Sequence, residues 1–128
     1  MDGEATEAIK LYTFALQIAL TRPPIEASGL LREEASLLYA NRAQAYMASS
    51  QWPEGAADAA CSVELKRQGN GKAWWRRGRC LVEMGKWEEA RKWVEEGKKE
   101  VEDNGEGARE LVELGKEVGR HLEGLRER

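Results

Sequence analysis

The sequence repeats itself, and that constrains its fold more than any other feature. Trp52-Pro53-Glu54-Gly55 returns 35 positions later as Trp87-Glu88-Glu89-Ala90; at the same offset residues 36–47 fall on 71–82, placing Tyr39 on Trp74 and Asn41 on Arg76. A third, partial copy at Glu7-Ala8-Ile9-Lys10-Leu11-Tyr12-Thr13-Phe14-Ala15 matches Glu54-Gly55 at a spacing of 47. Each full unit reads as two helices joined by a tight turn, with a small residue where the helices cross. A unit of that size cannot bury its own apolar face, so neighbours must bury each other's, and the expected fold is an all-α helical solenoid.

Taken in order, residues 4–21 read as a first helix, with Ala8, Leu11, Tyr12, Ala15, Ile18 and Ala19 on its packing face. Pro23-Pro24 ends it, because proline removes a donor and restricts the residue before it. A second, longer helix starts somewhere in 26–32 and runs to Ala48. Ser49-Ser50-Gln51 makes the turn into a third helix over 52–66, which tolerates Pro53 in its first turn. Gln68-Gly69-Asn70-Gly71 is a break. Helices over 72–84 and 87–101 follow, and Asp103-Asn104-Gly105 ends the fifth. The last helix, 106–126, carries Leu111, Leu114, Val118, Leu122 and Leu125 among polar residues. It reads as a cap that closes the solenoid; the rival is a dimer-forming coil around Gly115, for which about two heptads is short. The organisation is a single domain, 1–128, made of a partial repeat (4–21), two repeats (27–67 and 71–102) and the capping helix.

Composition narrows the function. With 34% charged residues and a formal net charge of −3, the chain lacks the basic excess of a general nucleic-acid binder. Cys61 and Cys80 have no metal-ligand spacing and fall inside helices, so they read as two buried thiols in a reducing compartment, and no metal or cofactor is expected. The most apolar window, 11–20, is interrupted by Tyr12, Thr13 and Gln17 and falls short of the roughly 20 residues that cross a bilayer. No secretory signal is visible, which points to the cytoplasm or the cytosolic face of a membrane. His121 is the one histidine, with no acid or nucleophile placed beside it by any motif. No catalytic residue is expected, and the chain does not read as an enzyme.

One stretch does collect chemistry. On a helix from Gly71, the cations Lys72, Arg76 and Arg79 stand at i, i+4 and i+7, sharing one face with Trp75 at its edge. Lys72 offers a compact mobile ammonium and Arg76 a planar fork suited to a carboxylate; Asn41, on the aligned position of the preceding repeat, can donate to the same ligand. Arg42 and Arg77 point away by about 100° and read as structural. Trp52, Trp87 and Trp93 lie on helix-packing positions and read as core.

The pattern of Tyr39, Ala43, Tyr46, Trp52, Gly55 and Ala59, repeated as Trp74, Gly78, Leu81, Trp87, Ala90 and Val94, resembles the tetratricopeptide-repeat (TPR) family over nearly the whole chain. Residues 39–46 and 71–78 are similar to the second and third repeats of the carboxylate-clamp TPR domains, which hold the Glu-Glu-Val-Asp tails of cytosolic heat-shock chaperones. Asn41, Lys72 and Arg76 match three clamp positions. The Lys and Asn that the family's first leading helix contributes have no counterpart, because this chain begins on what aligns with the trailing helix. Either that helix lies upstream, or the ligand is held with fewer charges and Arg79 substitutes. The long second helix and truncated first repeat are similar to the cytosolic TPR subunits of fungal post-translational translocation complexes at the endoplasmic reticulum.

The resemblance implies a peptide-binding adaptor with Asn41, Lys72, Arg76, Arg79 and Trp75 as site residues. Its implied ligand is a chaperone tail, of the DnaK class by preference, and it would have a membrane-anchored translocation subunit as a further partner. A few charge-assisted hydrogen bonds at roughly 1.5–3 kcal/mol each, less the cost of ordering a peptide, correspond to an affinity of about micromolar. Trp75 either covers an apolar side chain of the tail or packs between repeats. Two other readings remain: another acidic peptide, or single-stranded RNA stacking on Trp75 and neutralised by Arg76 and Arg79.

Overall fold

The computed structural model describes residues 2–21 and 28–127. It contains α1 (Asp2–Leu20), α2 (Ser28–Ala48), α3 (Trp52–Leu65), α4 (Gly71–Glu83), α5 (Trp87–Glu100) and α6 (Ala108–Arg126), with no strand among the described residues. The helix stop expected at Pro23-Pro24 lies outside the described residues. Elsewhere the breaks fall within a residue or two of their expected places, and the break-rich run 101–107 delays the last helix to Ala108. No helix among the described residues is long and apolar enough to cross a membrane.

The two hairpin turns show why the repeat is a structural unit. At the end of α4, Lys86 N–H donates to Leu81 O (2.8 Å) and Gly85 N–H to Val82 O (2.9 Å), with Gly85 at φ 75°. At the end of α2, 35 positions earlier, Gln51 N–H donates to Tyr46 O (2.9 Å) and Ser50 N–H to Met47 O (3.0 Å), with Ser50 at φ 58°. Both are the same left-handed helix stop, in which two otherwise orphaned carbonyls are satisfied; glycine adopts it freely and serine at some cost.

The helices pack in chain order, each on the next, and α6 lies on both α4 and α5. The core centres on Trp74, wholly buried with Leu81, Val94, Leu111 and Val118. Its indole N–H donates to Arg67 O (2.9 Å), its own carbonyl accepts from the Trp93 indole (2.8 Å), and the two rings lie 4.3 Å apart. Gly97 makes room, since a Cβ there would lie 2.8 Å from Trp74 Cε3. Leu111, Leu114 and Val118 turn into this core, so α6 closes the solenoid as a cap, and Leu125 is left exposed. Cys80 is buried and Cys61 half-buried, both as free thiols; burial pushes the Cys80 thiol up to about 11, which keeps it protonated near neutrality.

Polar contacts fix how α2, α3 and α4 sit together. The Ser36 hydroxyl donates to Ser62 O (3.0 Å) and the Ser62 hydroxyl to Ser36 O (2.8 Å), both buried; Asn70 Nδ2 donates to Ser62 O (3.2 Å) and Lys66 O (2.9 Å). Arg42 grips Asp58 through Nε (2.6 Å) and Nη2 (2.8 Å), the structural role expected of it.

The packing face of α1 differs from expectation. Ala5, Leu16 and Ala19 are buried, whereas Leu11 (67% exposed), Phe14 (62%) and Ile18 (46%) face outward. The repeat supplies the reason. The counterparts of Leu11 are Asp58 in α3 and Trp93 in α5, and these reach back to Arg42 of α2 and Trp74 of α4, the leading helix of their own pair. Among the described residues α1 has no leading helix, so the side chains that would meet one face solvent.

Candidate functional site

The contact between α2 and α4 leaves a groove of about 670 Å³ lined by Asn41 from α2 and by Lys72 and Arg76 from α4. The structure therefore brings together the three residues aligned from two different repeats. Leu30 and Leu37 add an apolar wall, exposed by 74% and 63%. A smaller hollow of about 160 Å³ adjoins it, sharing Lys72 and Arg76 and adding Gln44 and Trp75. Trp75 is half-buried, so part of its surface packs against the core while part lines this hollow.

Arg76 differs from the other partly buried arginines among the described residues. Arg42 holds Asp58, Arg77 approaches Glu89 at 3.6 Å, and Arg79 holds Glu83 (2.5 Å) and Glu117 (3.0 Å). Arg76 instead donates to the Ala40 carbonyl (2.9 Å), and among the described residues no carboxylate lies within ion-pair distance of it. Burial pushes its guanidinium below the usual value, against the more distant influence of Glu106 and Tyr12. A desolvated cation held by a single carbonyl is poorly compensated, and an incoming carboxylate would compensate it.

Lys72 is met by Glu106, from the loop between α5 and α6, at 2.7 Å; the ammonium holds the Glu106 carboxyl below the usual carboxylate range, helped by Arg76. Arg79 lies apart. Two turns along α4 from Lys72, it reaches α6 and bridges it through Glu117, so the three cations expected on one face divide into two that line the groove and one tied to the cap. Arg77 stacks over Trp93 (4.7 Å), and Trp87, half-buried, stacks on His121 at 3.7 Å.

Glu106, Glu33 and Glu34 also line the groove and were not foreseen. No sequence signal marks them: Glu106 meets Lys72 across 34 positions through an irregular loop, and Glu33 is brought to Lys66 (3.4 Å) only by the packing of α2 on α3.

No protein-family profile matches the sequence. Among solved structures, the chain is similar to the TPR domain of Sgt2 from Aspergillus fumigatus, at a TM-score of 0.77 and 29% identity, covering 98% of this chain and 73% of that one. The fold is the tetratricopeptide-repeat solenoid. The same solenoid also superposes on the first TPR of Spaghetti (RPAP3) bound to the HSP90 peptide SRMEEVD, at a TM-score of 0.69 and 27% identity, covering 94% of this chain and 81% of that one. Over 91 residues the TPR chain is 46% identical to the ER protein translocation subcomplex subunit sec67 of Schizosaccharomyces pombe. The match takes in 71% of this chain and 47% of the relative, so the chain spans about half the length of the curated relative it matches.

Proposed function

We propose that this TPR domain is a protein–protein interaction adaptor whose groove takes the acidic C-terminal tail of a cytosolic heat-shock chaperone, with Asn41, Lys72 and Arg76 as the residues that hold it. The observation that carries the reading is the half-buried Arg76 guanidinium, tied to one backbone carbonyl and supplied with no carboxylate among the described residues. The likeness to a TPR domain bound to a peptide ending in Glu-Glu-Val-Asp supports the ligand class. Trp75 belongs to this site through the adjoining hollow, while Arg79 is assigned an indirect part, holding the cap against α4.

The similarity to a translocation subunit extends the proposal to a place in the cell: a domain on the cytosolic face of the endoplasmic reticulum that receives chaperone-bound precursors, with the DnaK class as the favoured chaperone and a membrane-anchored subunit as a further partner. The formal net charge of −3, without the basic excess that neutralises a run of phosphates, disfavours RNA. Titrating the chain with a labelled Glu-Glu-Val-Asp peptide and with poly-uridine tests this directly. The peptide is expected to bind at about micromolar. Its binding should weaken but persist between low salt and physiological ionic strength, where the Debye length is about 8 Å. Poly-uridine binding tighter than the peptide would overturn the assignment.

A further inference from the structure

We infer that Glu106 is an internal competitor for the ligand: its carboxylate occupies Lys72 in the free protein, and an incoming peptide carboxylate must displace it. The inference rests on the carboxylate-binding reading of the groove and concerns what that groove does before a peptide arrives.

The geometry is specific. The backbone around Glu106 is pressed onto the first turn of α4, where a Cβ on Gly71 would strike the Glu106 carbonyl oxygen. Gly107, at φ 85°, approaches so closely that a Cβ there would lie 2.6 Å from Gly71 C and 2.7 Å from Lys72 N. Residues with side chains at these two positions would push loop and helix apart. Hydrogen bonds from Gly105 N–H to Glu102 O (2.8 Å) and from Leu111 N–H to Gly107 O (3.0 Å) hold the loop on either side. The Glu106 carboxylate is thus tethered within reach of Lys72, at high effective concentration, and sits by the N-terminal end of a helix, where negative charge is favoured.

The tether is firm but the ion pair is not. Lys72 and Glu106 side chains are 55% and 74% exposed, and exposed pairs contribute little. A peptide that brings two or more carboxylates can take Arg76, which has no such partner among the described residues, and exchange with Glu106 at Lys72. A ligand with a single negative charge gains only Arg76 and leaves the internal pair in place. Glu106 therefore acts as a threshold on ligand charge, set by a loop outside the repeats.

The test uses a double-mutant cycle with a Glu-Glu-Val-Asp peptide at low salt, measured on the wild type, Glu106→Gln, Lys72→Gln and the double variant. Glutamine keeps the size of Glu106 at an exposed position, and circular dichroism checks that each variant folds. Glu106→Gln is expected to bind the peptide about 3- to 5-fold more tightly, the scale of one exposed ion pair. That gain should largely vanish in the Lys72→Gln background, because competition runs through the ammonium. Equal or weaker binding by Glu106→Gln, or the same gain with and without Lys72, would overturn the inference while leaving the groove's function intact. Absence of binding by both the wild type and Glu106→Gln would remove the carboxylate reading itself, and this inference with it.

Discussion

Replacing Trp74 with alanine is expected to lower the free energy of unfolding by about 3–5 kcal/mol, read as a shift in the urea midpoint followed by circular dichroism. Trp74 is wholly buried and joins three elements: its ring meets Trp93 of α5, its indole N–H satisfies Arg67 O at the end of α3, and Gly97 and Leu111 close over it. Truncation would leave a cavity at the centre and an unsatisfied carbonyl beside it. In a domain of ordinary stability, about 5–15 kcal/mol, the loss takes a large share of the total. A change below about 1 kcal/mol would mean that the two repeats do not share the core described above.

A second large effect is expected on binding and not on folding. Arg76→Ala should weaken an acidic C-terminal peptide by about 2 kcal/mol, or roughly 30-fold, with the urea midpoint nearly unchanged. Arg76 contributes little to the free protein, because one hydrogen bond to Ala40 O only partly offsets its desolvation. Lys72→Ala should cost less, since that ammonium is exposed and already paired with Glu106. Isothermal titration of the three proteins against one peptide checks the order. A loss of stability in Arg76→Ala as large as the loss of affinity would assign the residue to the scaffold.

Much of this was legible in the sequence because the repeat writes the same geometry twice. The helix stops at Ser50 and Gly85, the buried small residues Ala43 with Gly78 and Gly55 with Ala90, and the juxtaposition of Asn41 with Arg76 all follow from a single offset of 35 residues. What escaped reading lay where the repeat gives no guidance. The outward turn of Leu11 and Ile18 depends on whether a helix stands in front of α1, which the α1 sequence does not encode. Arg79 shared a helical face with Lys72 and Arg76, but the cap, which is not a repeat, supplied Glu117 to hold it. Glu106 comes from a glycine-bounded loop whose path depends on close backbone approaches at Gly71 and Gly107, and no periodicity places such a loop.

The central claim is that the groove recognises carboxylates at the end of a peptide. The most direct measurement compares three versions of one Glu-Glu-Val-Asp peptide: the free acid, the C-terminal amide, and a form with the final Asp replaced by Ala. With Arg76 and Lys72 as receptors, both altered peptides should bind more weakly than the free acid, and loss of the Asp side chain should cost at least as much as amidation, because the Lys and Asn that the first leading helix of the carboxylate-clamp domains contributes have no counterpart among the described residues. Equal affinity for all three would contradict the account, for it would mean that the groove reads the middle of a chain segment and not its charged end.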